Sequence, residues 1–217
     1  MDVWMIVLVT LIVVAVIFGG NVLLRRHYTK KIVIAMSQED YDGFFKVLDS
    51  SGCKLILRPS EREMMRLSAY LTLGKAKDIE EQLQLMLHMR LKKKERAAVA
   101  TRGFYYYVEA KNRRKANDMI KIVEENGAPG SAKELKMIAS VLLRKEAKYI
   151  KEFQSYYDNA KADEQRGMFA YLLGLQYSYI DDEKNTSRYL KEAQQLLKET
   201  PYEEVIRDLL KERKKNR

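Results

Sequence analysis

Residues 170–201 read AYLLGLQYSYIDDEKNTSRYLKEAQQLLKETP, and this stretch decides the fold. The polar turn from Asp181 to Asn185 divides it into two helical patterns, about 163–180 and 184–199. A third helix is signalled by Thr200-Pro201-x-Glu203, a capping acceptor three residues before a carboxylate. Pro201 falls where a first helical position tolerates the missing N–H. Helix, tight turn and helix form a hairpin that cannot bury both of its apolar stripes alone, so partner hairpins are expected.

The rest of the chain repeats the pattern. Ser60-x-x-Glu63, Asp78-x-x-Glu81 and Ser131-x-x-Glu134 have capping-box spacing. With the breaks near Gly52–Pro59, Gly74–Lys77, Lys111–Arg114 and Asn126–Gly130, they predict further helices over 37–50, 60–73, 78–91, 95–110, 114–126, 131–146, 148–161 and 201–213. Only three prolines interrupt 217 residues, and no sustained alternation of β-branched residues calls for a sheet. Lys54–Arg58 is apolar but too short to build one. Aligning Tyr70, Tyr106, Leu142 and Tyr177 gives a period of about 36 residues. Thirteen residues further on stand Leu83, Met119, Ser155 and Leu190, three of them apolar. Ser37–Ser50 reads as the second half of an incomplete leading repeat, with Val47 one period before Leu83.

These features resemble the tetratricopeptide-repeat family. Leu173-Gly174-x-x-Tyr177 reproduces that family's core motif, and Gly103-x-x-Tyr106 repeats it with Arg102 in place of the leucine. The family's first-helix tryptophan falls on Ala170, and its second-helix alanine and phenylalanine fall on Thr186 and Leu190. The resemblance spans about residues 37–213 and is specific over the last hairpin. It implies an all-α solenoid of helical hairpins that displays a peptide-binding groove.

Ahead of the repeats, Val3 to Leu24 holds no charged residue. Twenty-two residues at about 1.5 Å each make a helix of about 33 Å, enough for a hydrocarbon core of about 30 Å. The segment is too long for a signal peptide, and neither a basic leader nor a small-residue cleavage site accompanies it. Arg25, Arg26, Lys30 and Lys31 follow directly, and basic flanks stay cytoplasmic. The expected arrangement is therefore a transmembrane helix over 3–24, a basic juxtamembrane segment over 25–36, a repeat domain over 37–213 and a basic tail over 214–217. It places a single-pass protein in the cell membrane, with its N-terminus outside and its C-terminal domain cytoplasmic. Arg25, Arg26, Lys30 and Lys31 are then the expected contacts for anionic lipid headgroups. Ala15-x-x-x-Gly19 has the spacing of close helix approach.

Little in the sequence points to chemistry. The two histidines, His27 and His88, lie far apart, and neither has a neighbour at ligand spacing. The one cysteine, Cys53, excludes a disulfide framework and has no base nearby in sequence. No glycine-rich phosphate loop is present. The expectation is a protein that is not an enzyme and uses no cofactor or metal. Its formal charge of +10 is patchy: Arg25–Lys31, Arg90–Arg96, Lys111–Lys115 and Lys211–Arg217 are the basic clusters. Anionic lipid surfaces and nucleic acid are the alternative partners, and nucleic acid is not favoured because no recognition motif accompanies the clusters. Tyr105, Tyr106 and Tyr107 must point in three directions on one helix, so most of the fourteen tyrosines are expected to pack between hairpins.

Carrying the family's groove through the aligned tyrosines places Phe104 and Tyr107, then Lys136, Ser140 and Arg144, and finally Tyr171, Leu175 and Tyr179 along it. Met64, Ser68 and Leu71 would precede them. A groove with aromatic ends and a basic middle implies an extended protein or peptide ligand with acidic and apolar residues. The functional expectation is a membrane-tethered adaptor or scaffold, with a purely structural subunit as the bland alternative.

Overall fold

The computed structural model describes the backbone of residues 3–215 and the side chains of residues 19–213. Among the described residues there are twelve α-helices and no strand. They are α1 (Val3–Ser37), α2 (Tyr41–Asp49), α3 (Ser51–Ile56), α4 (Pro59–Leu73), α5 (Ala76–His88) and α6 (Lys93–Glu109), followed by α7 (Arg113–Asn126), α8 (Ser131–Arg144), α9 (Ile150–Asn159), α10 (Asp163–Tyr179), α11 (Glu183–Leu196) and α12 (Tyr202–Lys215).

One turn recurs through the chain and gives it a helical-repeat arrangement. Glu39, Gly74, Lys111, Lys145 and Asp181 all adopt left-handed backbone, with φ between 54° and 63°. The next residue's N–H returns to a carbonyl in the preceding helix. Asp40 donates to Ala35 at 2.9 Å, Lys75 to Tyr70 at 3.2 Å, Asn112 to Tyr107 at 2.8 Å, Glu146 to Ser140 at 3.1 Å and Asp182 to Tyr177 at 3.0 Å. This satisfies carbonyls that a helix end would otherwise leave bare. In three of the five turns, that same next residue caps the following helix. Asp40, Asn112 and Asp182 accept the N–H groups of Gly43, Lys115 and Asn185. Each hairpin thus has a first helix (α1, α4, α6, α8, α10) and a second (α2, α5, α7, α9, α11).

The capping boxes read from the sequence form differently. The N-caps of α4, α5 and α8 are Arg58, Lys75 and Gly130. Pro59 starts α4 one residue early, which leaves the Ser60 hydroxyl to donate to Glu95 at 3.2 Å. Glu203 accepts from the N–H of Glu199 at 2.9 Å, not from that of Thr200.

The chain divides into two compact units, residues 1–99 and 100–217, with α6 crossing the boundary. In the first unit α1 supplies the first helix of the leading repeat, which had been expected to lack one. Its Ile32 and Ala35 are buried with Phe44, Leu48, Cys53, Leu57 and Ala69. Residues 25–36 are therefore part of a packed helix rather than a separate segment. Arg25 pairs with Glu61 of α4 at 2.8 Å. Arg26, Lys30 and Lys31 are exposed.

The expected cell-membrane location, with an outside N-terminus and a cytoplasmic C-terminal domain, is overturned: among the described residues no helix is long and apolar enough to cross a membrane. Most of the apolar run, residues 3–18, lies outside the described side chains. Beyond it α1 carries Arg25, Arg26, Lys30 and Lys31 and then buries its last turns in a protein core, so the described helix is not a uniformly apolar rod.

In the second unit α10 is the central helix. Phe169 to Gln176 are all buried, and α8, α9 and α11 pack around them. Gly174 lets α10 and α11 approach closely: a Cβ there would lie 2.7 Å from Cδ2 of Leu190 and 3.2 Å from the Leu190 backbone nitrogen. Tyr177 stacks in parallel on Tyr189, ring centroids 5.6 Å apart. Buried Gln176 is satisfied by accepting the N–H of Tyr149 at 2.9 Å.

Candidate functional site

The first helices of the second unit, α6, α8 and α10, carry the groove positions from Phe104 to Tyr179, while Met64, Ser68 and Leu71 lie on α4 in the first unit. Their surroundings differ sharply. Phe104 and Tyr107 are buried, and the ammonium group of Lys115 sits 5.2 Å from the Tyr107 ring centroid. Lys136 is exposed and pairs with Glu124 at 2.7 Å. Ser140 is fully buried and donates to Glu146 at 2.5 Å. Arg144 meets the same carboxylate at 3.1 Å, and Lys148 reaches its other oxygen at 3.0 Å. Hydrogen bonds from Ser140, Lys148 and Arg144 hold the Glu146 carboxyl down at a pKa of about 2. Ser140 and Arg144 are therefore brought together, but on a carboxylate of the chain itself.

Tyr171 and Leu175 are buried, and Tyr179 is half-buried with its hydroxyl donating to the carbonyl of Val141 at 3.0 Å. The Tyr171 ring packs against Tyr202 of α12, centroids 5.7 Å apart and planes tilted by 53°. Burial pushes the Tyr171 hydroxyl up to about 12, with Tyr179 and Tyr202 adding to the shift.

Sequence reasoning missed the groups that remain accessible here. Tyr105 is 45% exposed, a large aromatic side chain left open beside the buried Phe104. Burial chiefly raises the hydroxyl pKa of Tyr105 and of Tyr202. Glu134 and Tyr202 add to the rise at Tyr105, and Glu109 adds to that at Tyr202. The groove positions borrowed from the family skipped Tyr105, and α12 stood outside the aligned helices. The only signal was the run of three tyrosines, one of which had to face outward on a helix.

Elsewhere in this unit Arg113, Arg114 and Lys121 line an open depression on α7 with Asn117 and Asp118. Near the start of α10, Arg166 stacks over Tyr157 at 4.6 Å and pairs with Glu192 at 3.3 Å. In the first unit, buried Cys53 has its thiol pKa raised, mainly by desolvation. His27 packs edge-on against Tyr28, and His88 meets the carbonyl of Gln84 at 2.7 Å. Among the described residues no three His, Cys, Asp or Glu side chains are grouped so as to hold a metal.

No model of a known protein family matches the chain, and neither a curated protein nor a solved structure matches it.

Proposed function

We propose that the chain is a divergent tetratricopeptide-like scaffold whose second unit binds a protein partner through the face carrying Tyr105. The recurring left-handed turns and the close approach at Gly174 support the family likeness. Exposed Tyr105 carries the binding reading, because aromatic side chains with one open face anchor protein interfaces. Most of the other groove positions, Phe104, Tyr107, Ser140, Tyr171 and Leu175, are buried within the unit, so recognition falls to this rim. Catalysis has no part in the proposal.

The test is capture of partners from the source cell on the immobilised full chain, wild type against Tyr105→Ala. Loss of specific partners in the variant supports the reading. An unchanged set refutes it and favours a purely structural subunit. The second reading, a polyanion binder, rests on exposed Arg113 and Arg114 of α7. Salt separates the two: charge-driven binding collapses at about 0.5 M, where aromatic contacts persist.

A further inference from the structure

Independently of the Tyr105 face, we infer that the outward side of α11 docks an acidic segment of a second protein partner, its carboxylates seated on Arg188 and Lys191 beside Arg166. Sequence reasoning expected an acidic ligand because Lys136 and Arg144 fell in the groove. Those cations are matched within the chain, by Glu124 and Glu146. On α11 the balance runs the other way. Both of its carboxylates are engaged by other helices: Glu183 pairs with Arg213 of α12, and Glu192 pairs with Arg166 of α10 at 3.3 Å. Arg188 and Lys191 are exposed and have no ion-pair partner among the described residues. Lys184, the third cation of α11, is offset by the N-cap Asp182.

Arg188 and Lys191 stand three residues apart, on one side of the helix. With Arg166 and Glu192 they line one open depression of about 400 Å³, where the remaining charge is Asp163. Arg166 and Glu192 answer each other, so two cations face one acid. The exposed charges next to these helices in sequence, Lys161, Glu164, Lys198 and Glu199, do not line the depression and cancel. The Arg188 guanidinium sits 5.0 Å from the Tyr189 ring centroid. That ring is itself fixed, by its hydroxyl donating to Gln154 at 2.5 Å and by stacking on Tyr177. A guanidinium held on a ring keeps its N–H groups in a plane that matches a carboxylate.

Charge is what this surface offers. Tyr157 and Tyr189 are buried, so neither ring is open to stack a base. No large exposed apolar side chain of α11 is available to enter a lipid surface. Two unopposed cations suit one short acidic segment better than nucleic acid, which draws its affinity from about 6–10 phosphate contacts.

The test is fluorescence anisotropy of the full chain with a labelled peptide alternating glutamate with serine. The protein's charge of +10 attracts any anion, so the control must remove equal charge elsewhere. Arg188→Gln with Lys191→Gln should weaken the peptide about fivefold, and Lys191→Gln alone, which touches no ring, about twofold. Arg113→Gln with Arg114→Gln on α7 should change it less than about twofold. Tyr105→Ala should leave it unchanged. Circular dichroism of each variant confirms that these exposed positions leave the fold intact. Equal loss in the α7 and α11 variants would reduce the binding to net charge and overturn the inference, as would loss confined to α7 or failure of the peptide to bind. A labelled oligonucleotide that binds more tightly and depends on Arg188 and Lys191 would also overturn it, in favour of nucleic acid.

Discussion

Gly174→Ala tests the packing that defines the last hairpin. The added methyl would sit 2.7 Å from Cδ2 and 2.8 Å from Cγ of Leu190, with the Leu190 backbone nitrogen at 3.2 Å. Leu190 is itself buried, so its side chain has nowhere to swing, and α10 and α11 must part by a few tenths of an ångström. Overpacking of this kind costs about 1–3 kcal/mol. Alanine returns about 1 kcal/mol through its better helix propensity, leaving a net loss of about 1 kcal/mol. Leu190→Ala alone should cost about 2–5 kcal/mol by opening a cavity. In that background the methyl has room, so Gly174→Ala should become neutral or stabilising, a coupling of about 1–2 kcal/mol between the sites. Urea unfolding followed by circular dichroism reads all four states of the cycle. A stabilising Gly174→Ala in the wild-type background, or an equal cost in both backgrounds, would refute the close-approach argument.

Three further predictions concern the turns and the loop after α8. Asp182→Ala removes the acceptor for the Asn185 N–H and should cost about 1 kcal/mol in urea unfolding. Lys111→Gly relieves a left-handed side-chain conformation and should stabilise by about 0.5–1 kcal/mol, while Gly74→Ala should have the opposite sign. The Glu146 carboxyl is depressed from 4.5 to about 2 in the folded chain, so its contribution is present at neutral pH and fades as pH falls from about 4.5 towards 2. Thermal melts should therefore show Glu146→Gln less stable than wild type at pH 7, with the two converging near pH 2.

The hairpin architecture was legible because helix and turn signals are local. The expected helices from 60–73 onward match α4 to α12 to within a few residues at each end. The period of about 36 residues reappears as the five left-handed turns. The capping boxes were less legible, since the spacing cannot say which of two nearby polar residues leaves the helix first; Pro59 and Gly130 decided that. Nor could a local reading show that α1 runs on past its basic cluster, because Ile32 and Ala35 owe their burial to contacts with α2 and α3. The surroundings of the expected groove positions were hidden for a similar reason. Ser140 looks like a ligand-facing polar residue until the loop after α8 folds Glu146 onto it. Tyr105 was hidden because helical spacing alone cannot say which of three adjacent tyrosines faces outward.

Whether a partner docks at the face of Tyr105 can be read with a site-specific photo-crosslinker. Placed at position 105 of the full chain in the source cell, it should capture a discrete partner. Placed at exposed Lys191 on α11, a second helix, it should not capture that partner. Equal capture from both positions, or capture from position 191 alone, would contradict docking at Tyr105.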